Sequence, residues 1–132
     1  MARVLIVIFL AFVAQGCAAG VAVGAGVDHT LSGIAYKTFP VSANEPRFAT
    51  LKTLHRMDIG VVRDEETSAR HAIVAKASDR TIEIELETLT RRTTRMRVVA
   101  NMDGLFFKDA ATATEIIVQT AQTLDTQLSA RP

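Results

Sequence analysis

Thr81 to Leu89 reads T-I-E-I-E-L-E-T-L, with Ile82, Ile84 and Leu86 alternating with Glu83, Glu85 and Glu87. Successive side chains of an extended chain point to opposite faces, so this stretch is a strand with one apolar and one charged face. After a turn at Thr90 to Arg92, Thr93 to Asn101 comes back with Met96 and Val98 set against Arg95 and Arg97. Antiparallel pairing puts those arginines across from the glutamates, which is worth ~0.2–1 kcal/mol per pair. The glutamate row therefore reads as a solvated, charge-balanced sheet face. A cation site or a catalytic carboxylate site would need a converging pocket.

The other elements are placed around this hairpin. Gly33 to Phe39 alternates as a first strand, with Ile34, Tyr36 and Thr38 sharing one side, and Pro40 ends it because it has no N–H to give a ladder. Ser42-Ala43-Asn44-Glu45 has capping-box form and opens a helix to about Met57. Asn44 is the expected N-cap, since Pro46 then falls at the second helical position, where no backbone bond is lost. Phe48, Leu51, Leu54 or His55, and Met57 give its apolar stripe. Ile59 to Arg63 is a short strand, Asp64 to Ser68 a polar turn, and His71 to Ala77 a third strand that ends in a turn at Ser78-Asp79-Arg80. Asp109 caps a long final helix, Ala110 to about Leu128, whose buried stripe is Ala113, Ile116, Ile117, Thr120 or Ala121, Leu124 and Leu128. The order β-α-β-β-β-β-α implies an α+β two-layer sandwich. Its antiparallel sheet has about five strands, with two helices on one face and solvent on the other.

Ahead of this domain stands R-VLIVIFLAFVA-QGC-AAGVAVGAGV. Arg3 and the apolar run Val4 to Ala14 have the form of a signal peptide, and the run is too short for a bilayer core that needs ~20 helical residues. Gly16-Cys17 matches the end of a lipobox, although Ala14 and Gln15 stand where Leu and Ala or Ser are usual. On that reading residues 1–16 are a lipoprotein signal peptide and Cys17 carries the lipid. Residues 17–32 are then a Gly/Ala-rich tether, and 33–132 a single domain. The alternative is an uncleaved anchor, since Val4 to Val27 is long enough to span and Gly16, Gly20 and Gly24 would line one helix face. Both alternatives place Arg3 on the cytoplasmic side and export the rest.

Composition narrows the function. Cys17 is the sole cysteine, so no intramolecular disulfide forms. Lys and Arg total 15 against 14 acidic residues, a balance that gives no footprint for nucleic acid. His29, His55 and His71 form no metal-ligand spacing, and no nucleophile elbow or phosphate-binding loop is present. His55, on an apolar helix edge, is expected to be packed or half-buried. The sequence calls for no metal and no cofactor.

Leu105-Phe106-Phe107 is an apolar cluster outside any regular element. Alternation in an extended segment lets two of the three turn inward, so Phe107 is expected in the core and Phe106 exposed as a possible partner contact.

G-I-A-Y-K-T-F-P, L-H-R-M-D-I-G-V, R-T-I-E-I-E-L-E, T-T-R-M-R-V-V and F-F-K-D-A-A-T-A-T-E-I-I together resemble an uncharacterised family of small bacterial lipoproteins known only as domain-of-unknown-function 3568, from about Gly20 to Leu128. The resemblance implies an envelope lipoprotein and no activity. The expected function is a non-catalytic, membrane-tethered binding or accessory module that contacts an envelope protein from the periplasmic face of the outer membrane. A structural component of an envelope assembly is the second reading. An enzyme using Glu83, Glu85 or His71 is the third, and it would need two of these in one closed cleft.

Overall fold

A computed structural model describes residues 26–104 and 107–132. The glutamate-bearing strand, β5 (Arg80–Thr90), lies inside one six-stranded antiparallel sheet. The others are β1 (His29–Leu31), β2 (Ile34–Phe39), β3 (Gly60–Glu66), β4 (Arg70–Ala77) and β6 (Thr93–Met102), in spatial order β1-β2-β6-β5-β4-β3. Helix α1 (Asn44–Arg56) carries the chain from β2 to the far edge of the sheet, the meander β3 to β6 brings it back beside β2, and helix α2 (Ala110–Ser129) follows. The α+β sandwich expected from the sequence is present, with six strands where about five were expected.

The register explains the two faces. Ala35, Val98, Ile84 and Ile73 are aligned across β2, β6, β5 and β4, and all four are buried. Lys37, Met96, Leu86 and His71 form the next buried row. Ala113, Ile116, Ile117 and Leu124 of α2, with Ala49 and Leu54 of α1, close over these rows. Each fully buried Ile or Leu contributes about 1.5–3 kcal/mol. The helices also bind each other through Thr53 and Thr123, whose hydroxyls lie 3.0 Å apart, and through Arg56, which donates to Gln119 Oε1 at 2.9 Å.

The strand beyond the expected five is β1. It lies inside the stretch read as tether, and Leu31 pairs with Ile34 across a two-residue turn, Ser32-Gly33. Both turn residues have positive φ, 50° and 78°, the backbone that matches the twist of a tight hairpin. Gly33 is further required by close approach, because a Cβ there would stand 2.7 Å from Lys108 Cβ.

Four local expectations are corrected. Ala43, not Asn44, precedes α1 as N-cap, and no side chain caps the helix. Ala43 is already helical (φ −60°, ψ −27°), so Asn44 is inside the first turn and its amide is not placed to receive an N–H. Pro46 becomes the third helical residue, still among those without an intrahelical N–H bond. In the α1 stripe Leu54 is buried and Leu51 and Met57 pack partly buried against the core as expected, with Pro46, Ala49, Thr50 and Thr53 added, whereas Phe48 is exposed. β3 continues through the expected polar turn to Glu66, because it is an edge strand whose side chains are all exposed and need no apolar alternation. Phe107 is 68% exposed instead of buried. Its carbonyl accepts from Met102 N, and Asp109 N donates to Ala100 O, so the backbone pairs along the end of β6 and leaves the Phe107 ring outside. Leu105 and Phe106 lie outside the described residues.

Asp109 caps α2 as expected, with Oδ1 accepting from Thr112 N at 3.0 Å. The buried stripe of α2 also follows the expected positions, with Thr123 added and Leu128 partly buried.

Candidate functional site

The open face of the sheet carries an array of charged side chains. Tyr36 of β2, Arg97 of β6 and Glu85 of β5 form one row, and Thr38, Arg95, Glu87 and Arg70 form the next. Strand alternation places these residues here, since each is flanked by a core residue. The array is held diagonally as well as directly. Arg70 Nε lies 2.6 Å from Glu85 Oε1, Arg97 Nη1 lies 3.8 Å from Glu85 Oε2, and Arg95 Nη2 lies 2.5 Å from Glu87 Oε2. Ion pairs this exposed contribute at most about 1 kcal/mol each, so their consequence is placement more than stability.

Tyr36, Arg70, Glu85, Glu87, Arg95 and Arg97 line a depression of about 180 Å³. Three guanidinium groups face two carboxylates there, which leaves one positive charge in excess. Each carboxylate is engaged by an arginine. The surface offers guanidinium donors in fixed positions beside an aromatic hydroxyl, an arrangement suited to a carboxylate or another planar anion on a partner.

His29 extends the surface. Its ring stacks on Tyr36 with centroids 4.6 Å apart and planes 15° from parallel. Asp28 adds an anchor, accepting from Thr38 N at 2.6 Å. The sequence placed both residues in the tether, and the Ser32-Gly33 turn was the signal that could have joined them to the sheet.

Of the residues considered for catalysis, Glu83 and Glu85 share the open face, and His71 is not brought together with either. His71 is 5% exposed and sits on the helix-covered face, whereas Glu85 is on the open face. His71 Nε2 lies 3.7 Å from Glu66 Oε1, and its Nδ1 has no hydrogen-bond partner. His55 is exposed, not half-buried, because α1 turns Leu54 and Ala49 inward. Among the described residues, no three His, Cys, Asp or Glu side chains gather as a metal site. Cys17 lies outside the described residues, as does Phe106.

A second polar cluster joins the β4–β5 turn to α2. Arg80 Nε donates to Asp109 Oδ2 at 2.7 Å, and Arg80 Nη1 donates to Asp79 Oδ1 at 2.6 Å. Hydrogen bonds from the Thr112 hydroxyl and backbone N–H, then the Arg80 guanidinium, hold the Asp109 carboxyl down at about 2. The Asp109 hydrogen bond and the Asp79 charge raise Arg80. The Thr81 hydroxyl, at 2.8 Å, lowers Asp103, helped by Lys76. These groups lock a helix start to a strand turn, and none opens onto the Tyr36 depression.

Fold and surface together define a two-layer α+β domain whose uncovered sheet face bears a charge-compensated Arg/Glu array. The chain belongs to the family described as protein of unknown function (DUF3568), which it matches over residues 1–104. That match takes in the apolar leader and ends before α2, so F-F-K-D-A-A-T-A-T-E-I-I falls outside it. No curated protein matches the chain. Among the described residues, no helix is long and apolar enough to cross a membrane.

Proposed function

We propose that this chain is a non-catalytic, membrane-tethered binding module of the bacterial cell envelope. Cys17 carries its lipid, and the domain stands on the periplasmic face of the outer membrane. The open sheet face contacts an envelope protein. The observation that carries this reading is the face itself, an Arg/Glu array around Tyr36 in which each carboxylate of the depression is already engaged by an arginine. A partner that presents carboxylates would replace Glu85 or Glu87 as acceptor for Arg95 and Arg97. Charged contacts of this kind favour specificity and encounter more than affinity.

The test is copurification of the full, membrane-extracted chain from its own envelope, beside the Arg95→Glu/Arg97→Glu variant. The wild type should hold a defined envelope protein in a salt-sensitive manner, and the double variant should lose it while still melting cooperatively, at a temperature lowered by its new Glu–Glu contacts with Glu85 and Glu87. Equal capture by both would exclude the open face as the contact surface.

A further inference from the structure

The helix-covered side of the sheet is open near β2. A cleft of about 530 Å³ lies between the end of β2, with the loop behind it, and the C-terminal half of α2. Phe39, Val41, Leu124 and Leu128 give it apolar walls. Lys37 also lines it and is only 8% exposed. Lys37 falls on the core face because β2 alternation gives it the same side as Ala35 and Phe39.

The Lys37 ammonium is incompletely matched. Nζ donates to Gly26 O at 2.7 Å and stands 5.8 Å from the centroid of the Phe39 ring. No carboxylate of the described residues pairs with it, and residues 1–25, 105 and 106 contain no Asp or Glu. Asp125 lines the cleft but is exposed and makes no ion pair with Lys37. A part-buried ammonium with donors to spare and no counter-charge gains from an anion that completes it.

We infer that this cleft binds a free fatty acid. The apolar walls would take the acyl chain, and Lys37 would supply the counter-charge for the carboxylate. The volume falls in the range of small-molecule sites, and a single lysine, as a compact point charge, matches a single-charged head. This site lies on the opposite side of the sheet from the Arg/Glu array and does not rest on the function proposed for that array.

Membranes containing the full chain can be irradiated with a palmitate analogue bearing a mid-chain diazirine, in parallel with the matched fatty-alcohol analogue. Labelled peptides are then sequenced by mass spectrometry. The acid should label the peptides containing Phe39 to Val41 and Ala121 to Leu128, and the alcohol should label them about tenfold less, as expected for loss of one charge-assisted contact. Unlabelled palmitate should compete. Lys37→Met should reduce labelling by the acid to the level of the alcohol. Leu128→Trp, which fills the cleft from a partly buried position, should abolish labelling while the thermal melt is retained. Should Lys37→Met fail to fold, the acid-to-alcohol ratio and Leu128→Trp decide the matter alone. Equal labelling by acid and alcohol, labelling at exposed Phe48 or Phe107 in place of the cleft, or unchanged labelling of Leu128→Trp would overturn the inference. Competition by lysophosphatidate equal to that by palmitate would also overturn it, by assigning the head group to phosphate.

Discussion

Arg80 and Asp109 meet at 2.7 Å, Nε donating to Oδ2, and so fasten the β4–β5 turn to the first turn of α2. The same carboxylate caps the helix through Thr112 N at 3.0 Å. One side chain thus serves as helix cap and as inter-element clamp. Asp109→Ala should lower stability by roughly 0.5–2 kcal/mol at neutral pH through loss of the cap, measured by denaturant unfolding.

The pH dependence of that clamp has a definite sign. The Asp109 carboxyl ordinarily titrates at 3.8 and is held at about 2 in the folded chain. Its ionised form therefore stabilises the fold fully above the ordinary value, and that contribution is lost as pH falls from 3.8 through about 2. Asp109→Asn keeps an acceptor for the cap and removes the charge. The stability difference between wild type and Asp109→Asn should be constant from neutral pH to about pH 4 and should close by about pH 2. A difference that did not change over that interval would remove Asp109 as the titrating group.

Ile84 and Glu85 are adjacent but face opposite sides. Ile84 is 1% exposed, so Ile84→Asp would bury an unpaired charge and should prevent cooperative folding. Glu85→Gln gives up ion pairs with Arg70 and Arg97 on the open face and should cost no more than about 1 kcal/mol. Circular dichroism melts of the two variants compare the faces directly, and a worse defect in Glu85→Gln would reverse their assignment.

His71 is a buried polar group without full satisfaction, its Nδ1 lacking any partner. Its row neighbours are Lys37, Met96 and Leu86, and Glu66 is near only one ring nitrogen. His71→Leu should be neutral or stabilising, by up to about 2 kcal/mol, since removing an unsatisfied buried group recovers its desolvation cost. Denaturant midpoints for the two proteins are the measurement. A large loss of stability would mean that the imidazole has a structural role beyond packing.

Phe107 is 68% exposed, and its backbone carbonyl rather than its ring makes the structural contact, to Met102 N. Phe107→Ser should therefore change stability by less than about 0.5 kcal/mol. A melting temperature well below wild type would restore the ring to the core.

The sandwich could be read from the sequence wherever one face is buried and the other wet. Ile82, Ile84 and Leu86 against Glu83, Glu85 and Glu87 give a period of two that only a half-buried strand satisfies, and Arg95 and Arg97 follow from the same pattern. β1 and the end of β3 escaped because they are edge segments, exposed throughout, where backbone pairing rather than side-chain burial makes the strand. Phe107 escaped because alternation says that neighbours diverge but not which of them points inward. Glu85, Glu87, Arg95 and Arg97 of the array were foreseeable as charge-balanced pairs. Arg70, Tyr36 and His29 were not, since they join it only through the sheet order and the Ser32-Gly33 hairpin. Lys37 reads as a solvent residue in sequence, and only its place in the row with Met96 and Leu86 puts it inside.

The central claim, a domain tethered to the membrane by lipid, rests on Gly16-Cys17 after the apolar leader. Intact-mass and peptide mass spectrometry of the membrane-extracted protein tests it most directly. The account predicts a mature chain that begins at acylated Cys17. A chain that retains Met1, with Cys17 unmodified, would contradict it and assign the leader to an uncleaved membrane anchor.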